Sequence, residues 1–292
     1  TLYLPYATSL RMGRLGYQSD AQASLAVSYN GLKGYAASLQ DALTRAYPAY
    51  EAMGIRDAQG GYKQLSTSLL QIENEFYSTI RPKRVIKSGE RPLHALRERG
   101  VEYVEVRCMD LNPFMPVGID EGTARFLDMF LLHCLLSDSP LDTAPEIAAL
   151  ARNQQAVASR GREPGLRLER GDQQVVLIDW ALEILQECEP IAQALDALHG
   201  GDDHQQARQA AVAALNNPFT LPSARVVDAL LHDPINGHTG FTQAQSTQAR
   251  ASLMALDLPA DVQARLDQET RASIQSQADI EGADTLSFEA FR

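Results

Sequence analysis

The chain has 292 residues, of which 45% are hydrophobic and 22% are charged, and its formal net charge is -11. This is the composition of an ordinary soluble globular protein. The negative charge argues against a nucleic-acid partner, because phosphate binding needs a basic face. The longest apolar stretch, FLDMFLLHCLL at residues 126–136, falls far short of the roughly 20 residues of a membrane span, so we expect no membrane partner and predict a buried helix there.

The cysteines indicate the cellular compartment, and the first residues indicate whether the sequence is part of a longer protein. Cys108, Cys134 and Cys188 lie far apart and show no CxxC spacing, which predicts reduced thiols in a cytoplasmic protein. The opening TLYLPYATSLRM has no initiator methionine, no basic segment and no apolar core of a signal peptide. We interpret the sequence as a piece of a longer protein.

Up to about residue 117, strand-like runs are mixed with one long helix. Apolar residues at three- and four-residue spacing predict the helix over residues 29–46. A strand is predicted at 69–80, in LLQIENEFYSTI, and a loop at 81–92, where prolines and a glycine recur. A second strand is predicted at 101–108, in VEYVEVRC.

Beyond residue 117 nearly the whole sequence has helical periodicity. Asp120 is a predicted N-cap for the apolar helix, and REPGLRLERGD at 162–172 is predicted to be a loop or hairpin. Further helices are predicted at 143–160, 179–198, 204–215, 222–232, 241–256 and 259–280.

Each of the two predicted strands has an apolar face and a polar face, because successive side chains of a strand point to opposite sides. On the second strand, Tyr103, Glu105 and Arg107 share a face with Val101. On the first strand the polar face carries Gln71, Glu73, Glu75, Tyr77 and Thr79. These faces could simply meet solvent, or they could line a cavity.

Three features favour a cavity that handles phosphate groups. Basic residues cluster after the first strand, at Arg81, Lys83, Arg84 and Lys87. Glu105 and Arg107 alternate in sign on one face, which suits a cation held beside phosphate oxygens. Arg11 and Tyr17 lie in a non-periodic, glycine-containing segment, where substrate-binding side chains are common. No P-loop, Rossmann or nucleophile-elbow motif is present.

Three long strings carry a family resemblance: ATSLRMGRLGYQ, LQIENEFYSTIRPKR and VEYVEVRCMDLNPF. In this order and spacing the sequence resembles the carboxy-terminal portion of the proteobacterial type of glutamate–cysteine ligase, and the similarity extends over essentially the whole chain. The resemblance implies an α+β fold: part of a glutamine-synthetase-like antiparallel sheet funnel, followed by a mainly helical half. It also implies that residues 1–117 belong to the catalytic funnel and that residues 118–292 pack against it.

The reaction implied by the resemblance uses ATP, L-glutamate and L-cysteine. Phosphorylation of the glutamate side-chain carboxylate would give a γ-glutamyl phosphate, which the cysteine amino group then attacks. Mg²⁺, or Mn²⁺ in its place, is the implied metal ion. The resemblance assigns Glu105 to the metal, Arg107 and Arg11 to catalysis, and Arg11 with Tyr17 and Tyr77 to the acceptor cysteine. It gives no firm role to Glu73, Glu75, Arg81 and Lys83; for Arg81 and Lys83 we predict contact with nucleotide phosphate.

The family chain is considerably longer at its amino end, where further acidic metal ligands and a histidine lie. We therefore expect this segment alone to have little or no ligase activity, and a monomer is plausible. Two alternatives stay open: a non-catalytic helical binding or regulatory fragment, and a related carboxylate–amine ligase with another acceptor.

Overall fold

The computed structural model describes residues 4–14, 16, 25, 27–76, 78–233, 235, 237–287 and 290. The chain forms two compact units, residues 1–243 and residues 244–292. The division by role at residue 117 stays a prediction, because it concerns function rather than compactness. Tyr17 and Tyr77 lie outside the described residues.

Helices make up most of the described chain. Their bounds are α1 Leu32–Thr44, α2 Pro48–Met53, α3 Pro92–Arg99, α4 Glu121–Leu136, α5 Ala144–Arg160, α6 Leu177–Glu187, α7 Glu189–His199, α8 Asp203–Asn216, α9 Pro222–His232, α10 Gly237–Met254 and α11 Ala260–Ala283. Single 3₁₀ turns occur at Glu73–Glu75 and Pro218–Thr220.

Two small antiparallel sheets accompany the helices. Strand β1 (Ile80–Lys83) pairs with β2 (Tyr103–Val106), and β3 (Arg167–Arg170) pairs with β4 (Gln173–Val176). Within the described residues, each sheet is two strands wide. The structure is therefore mixed helical with small antiparallel sheets, and a strand pair of this size needs packing against a helix to be stable.

The first core lies beneath the segment that follows α2. Helix α1 buries Tyr35, Leu39 and Ala42, which recur at three- and four-residue spacing and so share one face. Leu70 and Phe76 pack on that face, together with other buried residues of the cluster: Val27, Ala36, Leu69, Leu93 and Leu96. Helix α3 packs on both α1 and β1, so this core supports β1 through α3.

The second core lies among α4, α6 and α7. Met129, Cys188 and Ala192 are fully buried there. Helix α8 completes the group by packing on α4, α6 and α7. Asp120 caps α4, as predicted, by accepting a hydrogen bond of 2.7 Å from the backbone N–H of Thr123.

Among the described residues of the predicted strand at 69–80 only Ile80 lies in a strand, so the prediction is wrong for the others; acidic side chains of the segment bind backbone donors instead. Glu75 accepts a hydrogen bond from the Gln71 N–H at 2.6 Å, and Glu73 accepts one from the Leu93 N–H at 2.7 Å. Side-chain acceptors of this kind compete with a strand ladder for backbone groups. Residues 73–75 therefore form a 3₁₀ turn, and the strand begins at Ile80.

The predicted loop at 81–92 and the single helix at 179–198 need correction as well. Residues 81–83 belong to β1, and α3 begins at Pro92, whose missing N–H is tolerated in a first turn. Near residue 188 the chain forms two helices, α6 and α7, because Pro190 cannot donate the hydrogen bond that a continuous helix would need. The other predicted helices and the hairpin near 162–172 are confirmed with shifted ends.

The apolar run at 126–136 is helical but only partly buried. Met129 is fully buried, whereas Leu135 and Leu136 are 77% and 74% exposed, so the prediction of a buried helix is wrong for its last turn. Among the described residues, no helix combines the length and apolar character needed to cross a bilayer.

Candidate functional site

The β1–β2 register brings the charged side chains of two strands to one face. Arg81 lies opposite Glu105 and Lys83 lies opposite Tyr103, and directly paired residues share a face of the sheet. The Arg107 N–H continues the ladder by donating to the Thr79 carbonyl at 2.8 Å. The period of two thus places Glu105 and Arg107 on the face that also carries Arg81 and Lys83.

Glu105 lies between two cations on this face. Its Oε2 is 3.4 Å from Lys83 Nζ, and its Oε1 is 3.5 Å from Arg107 Nε. All three side chains are partly exposed, at 24–38%. The carboxylate therefore holds two positive groups toward the same space, and they would meet an incoming anion together.

Arg11 approaches this cluster from the other end of the sequence. Its Nε donates a hydrogen bond to the carbonyl oxygen of Arg107. The turn that carries Arg11 is held by Asp110, whose Oδ1 accepts from the Arg11 N–H at 2.7 Å. Arg11 and Arg107 are thereby brought together across 96 positions of sequence.

A cleft of about 340 Å³ opens beside these two arginines. Its polar lining includes Tyr29, Asn30, Ser78 and Asp142, and its apolar lining includes Met12, Val27, Phe76, Ile147 and Leu150. Pockets of a few hundred Å³ with few polar groups are typical for small-molecule ligands. The cleft thus has space, two guanidinium groups and one carboxylate of opposite charge.

Arg81 turns toward the supporting core. One of its terminal nitrogens donates to the Glu73 carbonyl at 3.3 Å. Burial raises the pKa of Tyr35, and the neighbouring Arg81 opposes that rise. Burial likewise raises the pKa of Tyr29 to about 12, against the opposing effects of Ser78 and Arg81. Arg81 therefore lies close to the Tyr29–Tyr35 pair, and both tyrosines stay protonated at neutral pH.

The described residues do not by themselves fit a magnesium site. Mg²⁺ prefers octahedral oxygen coordination, and no group of three or more His, Cys, Asp or Glu side chains comes together in the described part of the chain. Glu105 is instead neutralised by Lys83 and Arg107.

Some residues of this region escaped the sequence analysis. Asp110 carried a signal, since it lies three residues after Arg107 in the string VEVRCMDLNPF. Tyr29 and Asp142 carried none, because they reach the cleft only through tertiary structure: Ser28 Oγ donates to Asp142 at 2.8 Å, across 114 positions.

Comparison with known proteins gives a consistent result. The family model described as "Glutamate-cysteine ligase" matches residues 1–157. Curated glutamate–cysteine ligases of Azotobacter vinelandii and Pseudomonas paraeruginosa are each 47% identical over 291 residues, and the alignments cover 100% of this chain but 54% and 55% of those proteins. The chain thus spans about half the length of the curated relatives it matches.

Solved structures show the same relationship. The crystal structure of glutamate–cysteine ligase from Francisella tularensis in complex with AMP matches with a TM-score of 0.84 and 36% identity, covering 97% of this chain and 55% of that one. A bifunctional glutathione synthetase from Pasteurella multocida matches with a TM-score of 0.59 at 19% identity, over 86% of this chain and 28% of that one, which shows a shared fold.

Proposed function

The chain belongs to the glutamate–cysteine ligase family, and from this premise we propose that it forms part of an enzyme that joins the side-chain carboxylate of L-glutamate to the amino group of L-cysteine at the expense of ATP. The observation that carries the proposal is the convergence of Arg11 and Arg107 on one cleft beside Glu105. The AMP bound to the Francisella relative supports an adenine nucleotide as co-substrate.

The proposed reaction has two steps. The γ-carboxylate of glutamate attacks the terminal phosphorus of ATP, which forms the acyl phosphate and releases ADP. The amine of cysteine then attacks the acyl carbon, the C–O bond to phosphate breaks, the amine loses a proton, and γ-glutamylcysteine and inorganic phosphate leave. Negative charge accumulates on phosphate oxygens in the first step, so positioned cations provide most of the catalysis.

Arg107 is the proposed group that stabilises the transferring phosphoryl. Its guanidinium is held by Glu105 at 3.5 Å and lines the cleft. Arg11 is proposed to bind the carboxylate of the acceptor amino acid, because a guanidinium offers a paired set of donors that matches a carboxylate. Tyr17 and Tyr77 are proposed to lie beside the same acceptor.

Lys83 and Arg81 have different prospects as contacts for nucleotide phosphate. Lys83 is 35% exposed and bound to Glu105, so it can turn to a phosphate oxygen by exchanging one anion for another. Arg81 is occupied by Glu73 and the tyrosine pair, so its proposed role includes support of the strand.

Glu105 is our proposed contact to Mg²⁺, or Mn²⁺ in its place, only in company with other oxygen ligands. The described residues bring no further carboxylate into a three-member cluster with it. When bound, a divalent ion would neutralise phosphate charge, while Glu105 keeps its hold on Lys83 and Arg107 in this chain.

We also propose that β1 and β2 belong to a larger antiparallel sheet of the glutamine-synthetase-like funnel type. Within the described residues these strands pair only with each other, so each has an open outer edge. Added strands would satisfy those edges and would extend the charged face into a lined cavity.

The test is complementation with a relative. This chain would be produced as a fusion with the part of the Azotobacter vinelandii ligase that it does not align with, and ADP release and γ-glutamylcysteine would be measured. We expect turnover that Arg107→Ala reduces by roughly 10³-fold, the effect of removing an arginine that stabilises a transferring phosphoryl.

Arg170→Ala is the matched control for that substitution. Arg170 on β3 is exposed, binds Glu183 on α6 and does not line the cleft. If turnover is equally intact in Arg107→Ala and in Arg170→Ala, Arg107 has no role in the mechanism. Use of another amine in place of cysteine would favour a related ligase with a different acceptor.

The lack of a three-member metal cluster in the described part of the chain favours a second candidate, a non-catalytic binding fragment. Calorimetric titration of the fusion with Mg-nucleotide separates the two. Binding that is lost in Glu105→Gln supports the ligase, and absence of binding supports the alternative.

A further inference from the structure

The turn at residues 9–13, which carries Arg11, is capped by a side chain from a distant part of the sequence. Asp110 Oδ1 accepts hydrogen bonds from the backbone N–H groups of Leu10, at 3.1 Å, and Arg11, at 2.7 Å. Its Oδ2 accepts from the hydroxyl of Ser9, and that hydroxyl in turn accepts from the Met12 N–H at 2.9 Å. One carboxylate thereby binds three donors of a single turn.

The segment that supplies Asp110 also binds the other end of Arg11. The Nε–H group of Arg11 donates to the carbonyl oxygen of Arg107. Arg107 and Asp110 are three residues apart, so the chain between them spans at most about 10 Å. The backbone and the guanidinium of Arg11 are therefore fixed against the same short stretch, which directly follows β2.

A second tether holds the chain upstream of this turn. The N–H groups of Thr8 and Ser9 donate to the Ala158 carbonyl on α5, at 3.0 and 3.3 Å. This tether sets where the segment crosses the helix, but Arg11 lies beyond it. Beyond this tether, Asp110 holds the backbone of Arg11 and Arg107 binds its Nε–H group.

Charge gives a further reason for an acidic residue at position 110. Arg11 and Arg107 both line the cleft and would repel each other there. Glu105 lies 3.5 Å from Arg107, and Asp110 is bound to the backbone of Arg11, so each cation has a carboxylate on its own segment or turn. Hydrogen bonds to an ionised acceptor are roughly twice as strong as neutral ones.

We propose that Asp110 is a positioning residue for the acceptor amino acid: it fixes the 9–13 turn so that the Arg11 guanidinium faces the cleft beside Arg107. The role rests on the proposed function in one respect, the carboxylate that Arg11 binds. The hydrogen bonds that Asp110 and the Arg107 carbonyl make to the Arg11 turn, called the clamp below, do not depend on the proposed function. Asp110 acts through Arg11 and does not touch the substrate.

Two substitutions of Asp110 weaken the clamp to different degrees. Asp110→Ala removes the hydrogen bonds of all three donors, whereas Asp110→Asn keeps one oxygen for the Leu10 and Arg11 N–H groups and loses the charge. Asp120→Ala is the matched control, because Asp120 also accepts a backbone N–H at 2.7 Å, in the cap of α4. Any of the variants that unfolds would be identified by circular dichroism, and the Asn variant then decides.

The first measurement uses the 292-residue chain alone. Amide hydrogen exchange of Leu10 and Arg11, and the NMR signal of the Arg11 Nε–H, report the clamp directly. We expect exchange at these amides to be faster by at least about 10-fold in Asp110→Ala and intermediate in Asp110→Asn. Asp120→Ala should leave both signals unchanged.

The second measurement uses the fusion described above. Asp110→Ala should raise the KM for cysteine by about 10–100-fold, as expected for loss of one charge-assisted hydrogen bond to the substrate, with the KM for ATP unchanged. In an Arg11→Ala background the same substitution should have no added effect, since the group that it positions is gone.

The two proposals fail in different ways. A fusion that forms no γ-glutamylcysteine refutes the proposed function, and the exchange measurement still decides the clamp. Unchanged exchange at Leu10 and Arg11 in Asp110→Ala overturns the inference, as does an equal rise in the KM for cysteine and ATP or a fully additive effect with Arg11→Ala.

Discussion

At the scale of single residues, the pair Asp196–His204 is a polar interaction buried among helices α7 and α8. The two residues are 4% and 2% exposed. Asp196 Oδ1 accepts from His204 through its backbone N–H, at 2.9 Å, and lies 2.8 Å from the ring Nδ1. The Gln205 N–H donates to Oδ2 at 3.1 Å. One carboxylate on α7 thus satisfies the first donors of α8, a common requirement of helix starts.

These bonds predict an acid-dependent loss of stability. Burial acts to raise the pKa of Asp196, but the hydrogen bonds from His204 and Gln205 outweigh it and hold the pKa well below its usual range. A carboxyl whose pKa is depressed by folding stabilises the protein above its unfolded pKa of about 4, and that contribution disappears as the pH falls toward the folded value. Asp196→Ala should lower the Tm at pH 7 by roughly 5–10 °C and flatten the decline of Tm below pH 4.

Thermal melts from pH 3 to pH 7 would measure this effect. Asp228→Ala is the control, because Asp228 faces His232 with both side chains more than 70% exposed. The Tm of Asp228→Ala should match the Tm of the unsubstituted chain at every pH. If the Tm of the Asp196 variant falls below pH 4 as steeply as the Tm of the unsubstituted chain, Asp196 is not the source of the acid-dependent loss of stability.

Single residues also show how far the site could be predicted. The convergence of Glu105 and Arg107 follows from strand periodicity alone, and the structure places their charged atoms 3.5 Å apart. The direction of Arg81 could not be predicted, because Glu73 was assigned to a strand and in fact supplies the carbonyl that Arg81 binds. The assigned roles of Arg11, Arg107, Arg81, Lys83 and Glu105 stay predictions.

At the scale of elements, the end of α5 is where the helical part meets the segment that leads to Arg11. Thr8 Oγ1 donates to the Val157 carbonyl at 2.6 Å. Arg162, whose pKa burial lowers, donates to the carbonyls of Pro5 and Ala7 at 2.7 and 3.1 Å. Gly161 allows this approach, since a Cβ there would lie 2.6 Å from Thr8 Cγ2 and 2.6 Å from the Val157 oxygen.

A methyl group at position 161 should therefore separate the two elements. Gly161→Ala is expected to cost about 1–3 kcal/mol, the range for overpacking, and to speed amide exchange at Thr8. Urea denaturation and hydrogen exchange measure both effects. Gly122→Ala, whose Cβ would meet its nearest atom at 3.7 Å, serves as the control and should be neutral or stabilising.

Unchanged stability in Gly161→Ala would mean that Thr8 can move aside freely, against the close packing of its methyl group. Loss of stability in Gly122→Ala of the same size would point to a general effect of alanine rather than to this contact.

Elements also explain which parts of the fold the sequence could predict. Helices α5 and α9 have an apolar stripe and a proline in the first turn, so local information is enough to predict them. Residues 69–80 have strand-like composition, but Glu75 binds the Gln71 N–H within the segment and Glu73 reaches Leu93, twenty residues away. Such distant acceptors have no periodic signature.

At the scale of the whole molecule, the net charge of -11 does not by itself create a metal site. Acidic side chains are spread over the described surface, and none of them forms a group of three with other potential ligands there. Many are held by arginine, as in the pairs Arg152–Glu169 and Arg170–Glu183 at 2.7 Å.

The 292-residue chain alone should therefore bind Mg²⁺ no more tightly than about 1 mM, in the range of weak sites with few charged ligands, and should form no γ-glutamylcysteine. Calorimetric titration with Mg²⁺ and a coupled ADP-release assay test this. Glu105→Gln should leave the titration unchanged, since the carboxylate is already bound to Lys83 and Arg107. Saturable micromolar binding or clear turnover by the chain alone would refute it.

The hydrogen bond from Thr8 to Val157 closes a loop of 149 positions. Closing so long a loop costs entropy before any contact compensates for it, and non-local contacts of this kind slow folding. During synthesis at about 5–20 residues per second, the segment that carries Arg11 leaves the ribosome many seconds before its docking partner exists. The contact between this segment and α5 must therefore form late, and a nascent chain arrested before residue 140 would carry Arg11 and Arg107 without Asp142 and the α5 residues that line the cleft.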